Sequence, residues 1–354
     1  MLFKVTMFYP SCYPIITQLN LKRNKTFIRA RILKIVDWHI EVTVIDNSSF
    51  AIAMRRSLFM VLLRRLMSIR FIAIVLALSR VPAAAETVAT PATLSEILTR
   101  AGAGETIRLT PGHYDRVSVR DRHWKQAITV SAAAATLSSI RFDNVSGLTW
   151  RGGEFEGDNT VSDAMKFEHS DHIVVDGVAF NHYTNFGIGI GFSTDVTLTN
   201  NVVTGSGSDG IDVAMSQRVV IDHNRCMDFH PAPGAHPDCV QLWSKPNFSP
   251  VSDVTITNNV AIGDMQGFTA FDGPYDRITI EHNFAHVTNY HGIALFDCRH
   301  CAVRHNRVES MRNPYAREVR AWIKVVGGTD VINCDNLAVD YPDFPGRGRC
   351  KRPE

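Results

Sequence analysis

"STDVTLTNNVVTGSGSDGIDVAM" (193–215) holds two short runs in which β-branched and apolar residues alternate with polar ones, one before Asn200-Asn201 and one after Gly210. The plan recurs in "SDHIVVDGVAFNHYTNFGIGIGF" (170–192), "VSDVTITNNVAIGDMQGFTAFDG" (251–273) and "YDRITIEHNFAHVTNYHGIALFD" (275–297). It recurs again in "SQRVVIDHNRCMDF" (216–229) running on to "PDCVQLW" (237–243). Alternation with a period of two marks strands, and repeats this short leave no room for helices between them. Such units bury their apolar face only on one another, so the expected fold class is all-β, a parallel β-solenoid.

Asn201, Asn224, Asn259, Asn283 and Asn306 keep the beat, at intervals of 23, 35, 24 and 23. They are expected to stack inside a tight turn, where side-chain amides satisfy backbone groups and tolerate left-handed geometry. His223, His282 and His305 fall in the same turns and read as structural. The single long interval implies one insertion of about twelve residues, placed at "HPAPGAHPDCVQLW" (230–243), with His230 read as its cap.

Ahead of the repeats, "MSIRFIAIVLALSRVPAAA" (67–85) has a basic start, a short apolar run and small closing residues. This is the layout of a secretory signal cut near Ala85, and its apolar run is short for a bilayer span. Periplasmic or extracellular export as a monomer, without stable membrane insertion, is expected. Residues 1–66, with 11 Lys/Arg against 3 Asp/Glu, read as an upstream start or a basic extension. Without residues 1–85 the Lys+Arg to Asp+Glu balance falls from 37:35 to 24:32, about −8, which argues against a nucleic-acid partner.

The remaining six cysteines suit disulfides in an exported chain. Cys226 with Cys239 would brace the insertion, and Cys334 with Cys350 would tie down a tail over 329–354. Cys298 and Cys301 form one CxxC, too little for a metal site. The solenoid is expected to span residues 86–328.

"TLSEILTRAGAGETIRLTPGHY" (93–114) reads as a short amphipathic helix capped by Thr93 or Ser95, a glycine turn and a strand. This arrangement is similar to the N-terminus of proteins of the pectin-lyase-like superfamily, especially the chondroitinase B and alginate lyase branch. The resemblance covers about residues 90–328. It implies a single-stranded right-handed parallel β-helix with a short N-terminal capping helix.

The second strands align by their inward pairs, from Met165/Phe167 through Ile211/Val213 and Val240/Leu242 to Ile323/Val325. Between the pairs, Lys166, Gly189, Asp212, Gln241, Thr269, Ala294 and Lys324 face outward. Asp209 and Asp238 stand at equivalent turns of adjacent coils, with His291 two coils beyond Asp238 and His236 on the insertion. Three carboxylates converging beside histidines make this face the candidate site, with Asp209, Asp238, His236, His291 and Lys324 as catalytic candidates. Asp212, Gln241, Trp243, Lys166 and Phe271 are the candidate substrate contacts.

"SDGIDV" (208–213), "HPDCVQLW" (236–243), "YHGIALFD" (290–297) and "RAWIKVVGG" (320–328) resemble, in order, the active-site segments of polygalacturonase-type hydrolases. That likeness implies a site of Asp209, Asp238, His291 and Lys324, although "MQGFTAFD" (265–272) adds a coil and Pro237 stands where a second acid would. The mixture of Asp, His and Pro is also similar to mannuronan C5-epimerases and alginate lyases.

Both resemblances imply a uronic-acid polysaccharide as partner. The leading expectation is C5 proton abstraction by a lyase or epimerase, with Ca²⁺ on Asp209, Asp212 and Asp238 and no organic cofactor. A histidine or lysine would take the proton. The alternatives are a hydrolase working with paired aspartates and a non-catalytic glycan-binding or adhesion β-helix.

Overall fold

A computed structural model describes residues 86–312 and 320–350 throughout, together with four short strands nearer the N-terminus. The chain divides into two compact units, Met1–Pro82 and Ala83–Glu354. In the first, Thr17–Arg23 pairs antiparallel with Thr26–Ile32, and Glu41–Val44 with Phe50–Ala53. The signal expected at 67–85 lies outside the described residues.

In the second unit the repeats build a right-handed parallel β-solenoid of about 10 turns. Each turn lays one strand on each of three faces, as Phe186–Gly191, Thr194–Thr199 and Val202–Thr204 do. The register sets Ile188 on Ile211, Ile211 on Val240, Val240 on Phe268 and Phe268 on Ile293, all buried. Like residues stack at the strand spacing of about 4.8 Å. Phe142 and Phe167 lie ring on ring at 5.0 Å, and Phe155 meets Phe180 at 5.2 Å.

The asparagines form the expected ladder. The Asn201 N–H and Nδ2 both donate to Asn224 Oδ1 at 3.0 Å, and Nδ2 also reaches the Val175 carbonyl. Asn224, Asn259, Asn283 and Asn306 repeat the pattern, and Asn336 extends it by one rung. The left-handed residue is the one before each rung. Asn200, His223, Asn258, His282 and His305 have φ of 56–57°, a region where asparagine and histidine are enriched. At another corner a shorter serine ladder runs from Ser170 to Ser193 to Ser216.

Helix α1, Leu94–Arg100, buries Leu94 and Leu98, and the Trp124 indole donates to the Ala101 carbonyl just past its end. Thr93 is its N-cap residue but offers no side-chain cap. Its Oγ1 instead accepts the Thr90 N–H. At the other end Ile332–Cys334 and Leu337–Ala338 continue the stack, so the segment expected as a tail beyond residue 328 supplies part of the last coil. Disulfides join Cys226 to Cys239, Cys298 to Cys301 and Cys334 to Cys350.

The long interval is two insertions, not one. Val203 and Ile211 are eight residues apart, whereas their partners Cys226 and Val240 are fourteen apart. Ala214 and Gln217 are three apart, and their partners Trp243 and Ser252 nine. Six extra residues therefore precede strand Asp238–Trp243 and six follow it. Counting from asparagine to asparagine merges the two.

Candidate active site

The outward row comes together as the repeat alignment requires. Lys166 lies on Gly189, Gly189 on Asp212, Asp212 on Gln241, Gln241 on Thr269, Thr269 on Ala294 and Ala294 on Lys324. Gly189 has a steric cause: a Cβ there would run into the Phe186 ring.

The two inserted loops wall strand Asp238–Trp243. The first is tied back by bonds from the His230 N–H to the Ser206 carbonyl and from the Ala232 N–H to the Gly207 carbonyl. The Cys226–Cys239 disulfide closes its base. Gly210 is required there, because a Cβ would meet the Cys239 carbonyl at 2.7 Å and the Cys226 sulfur at 2.8 Å. The second loop sets Lys245 Nζ 4.5 Å over the Trp243 ring and carries Phe248 to within 5.7 Å of Phe192.

Between the loops lie the three carboxylates. Asp238 is 0% exposed. Its Oδ1 accepts the Thr269 hydroxyl at 2.8 Å and its Oδ2 the Gln241 amide at 3.2 Å. Burial, then the charge of Asp209, drives its pKa well above the carboxylate range despite those donors. Asp209 Oδ1 accepts the Asp238 N–H at 2.8 Å. Burial raises the Asp209 pKa, opposed by that bond and by His236. Asp212 is pushed up to about 7, first by burial and then by Asp209, with Lys166 opposing. Its Oδ1 is buried without a hydrogen-bond partner, a costly state for an ionised oxygen and an easier one for a protonated acid.

His291 sits apart from this group. Its Nδ1 bonds the Gln266 side-chain oxygen. Its ring packs against Tyr290 at 4.2 Å, Phe271 at 4.8 Å and Trp322 at 5.9 Å. Burial, then Lys324 and His236, lower its pKa to about 4, so it is neutral at physiological pH. His236 is exposed on the returning loop, near enough to influence both Asp209 and His291.

The two lysines differ. Lys166 is paired with Glu168 at 2.8 Å. Lys324 rests over Trp322 at 5.0 Å and Phe296 at 5.7 Å, with no carboxylate partner among the described residues. Trp243 is partly covered by Lys245, and Phe271 belongs to the aromatic cluster around His291.

Ca²⁺ takes six to eight oxygens, and the three aspartates do not present them. Among the described residues their oxygens do not gather within 4.8 Å of one another. Both oxygens of Asp238 and one of Asp209 are already engaged. The acids as placed fit shared protons better than a shared cation.

Sequence reading missed Gln266, Thr269 and Phe186 as site builders. Their roles depend on side-chain reach between coils.

Residues 138–313 match the family model described as "Right handed beta helix region". A search of curated proteins finds no match. Among solved structures, an alginate lyase from Paenibacillus sp. str. FPU-7 aligns at 15% identity and TM-score 0.45, covering 72% of this chain and 98% of that one. A polygalacturonase from Erwinia carotovora ssp. carotovora aligns at 12% and 0.46, covering 68% and 77%. Pectate lyase C from Erwinia chrysanthemi aligns at 14% and 0.41, covering 72% and 77%. The family model and the strand order agree that residues 138–313 form a right-handed parallel β-helix.

Proposed function

We propose that this protein is an exported carbohydrate-active enzyme that cleaves a glycan by acid–base chemistry between its two inserted loops. The observation that carries the reading is Asp212, an outward-facing acid with a buried, unpartnered oxygen and a pKa near 7. Three disulfides favour an oxidising compartment.

Asp212 retains a proton into the neutral range and serves as the general acid to the leaving glycosidic oxygen. Asp209, whose ionised form the Asp238 N–H and His236 favour, is the base that activates water. Asp238, buried beside them, accepts from Gln241 and Thr269 and holds Asp209 through its backbone N–H.

Elimination at C5 needs a base and a carboxylate-neutralising group on one sugar ring. Three coils, about 14 Å, separate Asp212 from His291, which is too far for the two to share a ring. Asp212 and His291 are therefore not an elimination pair, and we infer hydrolysis by Asp212 and Asp209. The test is a panel of uronate and neutral polysaccharides assayed for reducing ends and for the ultraviolet absorbance of unsaturated sugars. New reducing ends without absorbance support the reading. Absorbance rising with the ends sinks it in favour of a lyase. No change with any polymer favours a binding or adhesion role.

A further inference from the structure

Gln266 lies on Asp238 in the register and is almost fully buried. Its two amide atoms face different partners. Nε2 donates to the His236 carbonyl at 3.3 Å, and Oε1 meets His291 Nδ1. A backbone carbonyl only accepts, so the amide cannot flip without losing that bond. The oxygen is therefore fixed toward His291, and an oxygen can only accept.

We propose that Gln266 is a positioning residue that locks His291 in its Nδ1-protonated form, so that Nε2 is a permanent hydrogen-bond acceptor for a hydroxyl of the bound glycan. Nε2 has no hydrogen-bond partner among the described residues, and His291 is only partly buried. The rings of Phe271, Tyr290 and Trp322 hold the imidazole plane. His236 and Lys324 are the charged or titratable groups that act on it. Both disfavour a second proton.

The same residue governs the loop. The Gln266 N–H donates to the Pro237 carbonyl at 2.7 Å while its side chain holds the His236 carbonyl. One glutamine thus clamps the return of the first inserted loop and orients a histidine one coil beyond itself. The hydroxyl-acceptor role rests on the glycan reading above, and the tautomer does not.

The experiment is long-range ¹H–¹⁵N correlation of the histidine rings in the intact protein, on the wild type, Gln266→Leu and Gln266→Glu. The wild type is expected to show His291 protonated at Nδ1 and unprotonated at Nε2. Gln266→Leu should shift it to an Nε2–H or mixed population. Gln266→Glu keeps an acceptor at Nδ1, so it should restore the Nδ1–H form and move the His291 titration to higher pH. An Nε2–H wild type, or an unchanged Gln266→Leu spectrum, overturns the proposal. With a cleavable oligosaccharide, Gln266→Leu should raise KM several-fold and leave kcat nearly unchanged. An unchanged KM overturns the acceptor role. A spectrum as expected with no glycan processed at all sinks the functional reading and leaves the positioning role standing.

Discussion

The backbone N–H of Asp238 donates to Oδ1 of Asp209 at 2.8 Å, so the main chain of one coil holds the side chain of the coil before it. That bond opposes the upward push of burial on the Asp209 pKa, in a cluster of three that cannot all carry charge together. Asp212 and Asp238, lacking such a bond from the backbone, keep their protons to higher pH.

Asp212→Asn should lower kcat by about 100-fold or more, the usual worth of a general acid, with the fold unchanged by circular dichroism. The wild-type rate should fall as pH rises past about 7, where Asp212 loses its proton. The variant's residual rate should lack that alkaline limb. A variant that keeps the limb assigns it to another group.

The repeat made this fold readable before any coordinates. Strand alternation, the asparagine beat and the inward pairs each locate a residue modulo one coil, and the register aligns the row from Lys166 to Lys324 as expected, although Gly189, Thr269 and Ala294 in it are buried. The periodicity could not say how twelve extra residues divide around Asp238–Trp243, because both insertions fall within one asparagine interval. Nor could it assign the partner of a side chain such as Gln266, whose amide reaches out of its own coil.

Stability should depend on pH through the same acids. In the fold Asp212 holds its proton up to about pH 7, whereas its ordinary value is 3.8. The folded state therefore binds more protons between these limits, and stability falls as pH rises through that window. Asp212→Asn removes the penalty. Its Tm should exceed the wild type's by a few degrees at pH 8 and by little at pH 4, read by calorimetry.

Asn259 sits in mid-ladder, fully buried and bonded to Asn224, Asn283 and the Ile221 carbonyl. Asn259→Ala strands several backbone and amide groups and should cost about 3 kcal/mol. Asn336→Ala, at the last rung, should cost less, because fewer coils depend on it. Chemical denaturation of both variants tests the order, and equal costs would mean that the ladder is not cooperative.

Since the three aspartates do not form a shared oxygen cage, chelation should leave the rate unchanged. Dialysis against EDTA followed by assay, with and without added Ca²⁺, is sufficient. A loss that Ca²⁺ restores would show that the carboxylates close around a cation in solution.

The central claim is that Asp212 protonates a glycosidic oxygen while water replaces it. Cleavage in oxygen-18 water, followed by mass spectrometry of the oligosaccharides, tests this most directly. Hydrolysis puts one heavy oxygen on each new reducing end, and Asp212→Asn should suppress the labelled product in proportion to its lost rate. Products that carry no label and have lost the mass of water would show elimination, and the account of the three aspartates would be wrong.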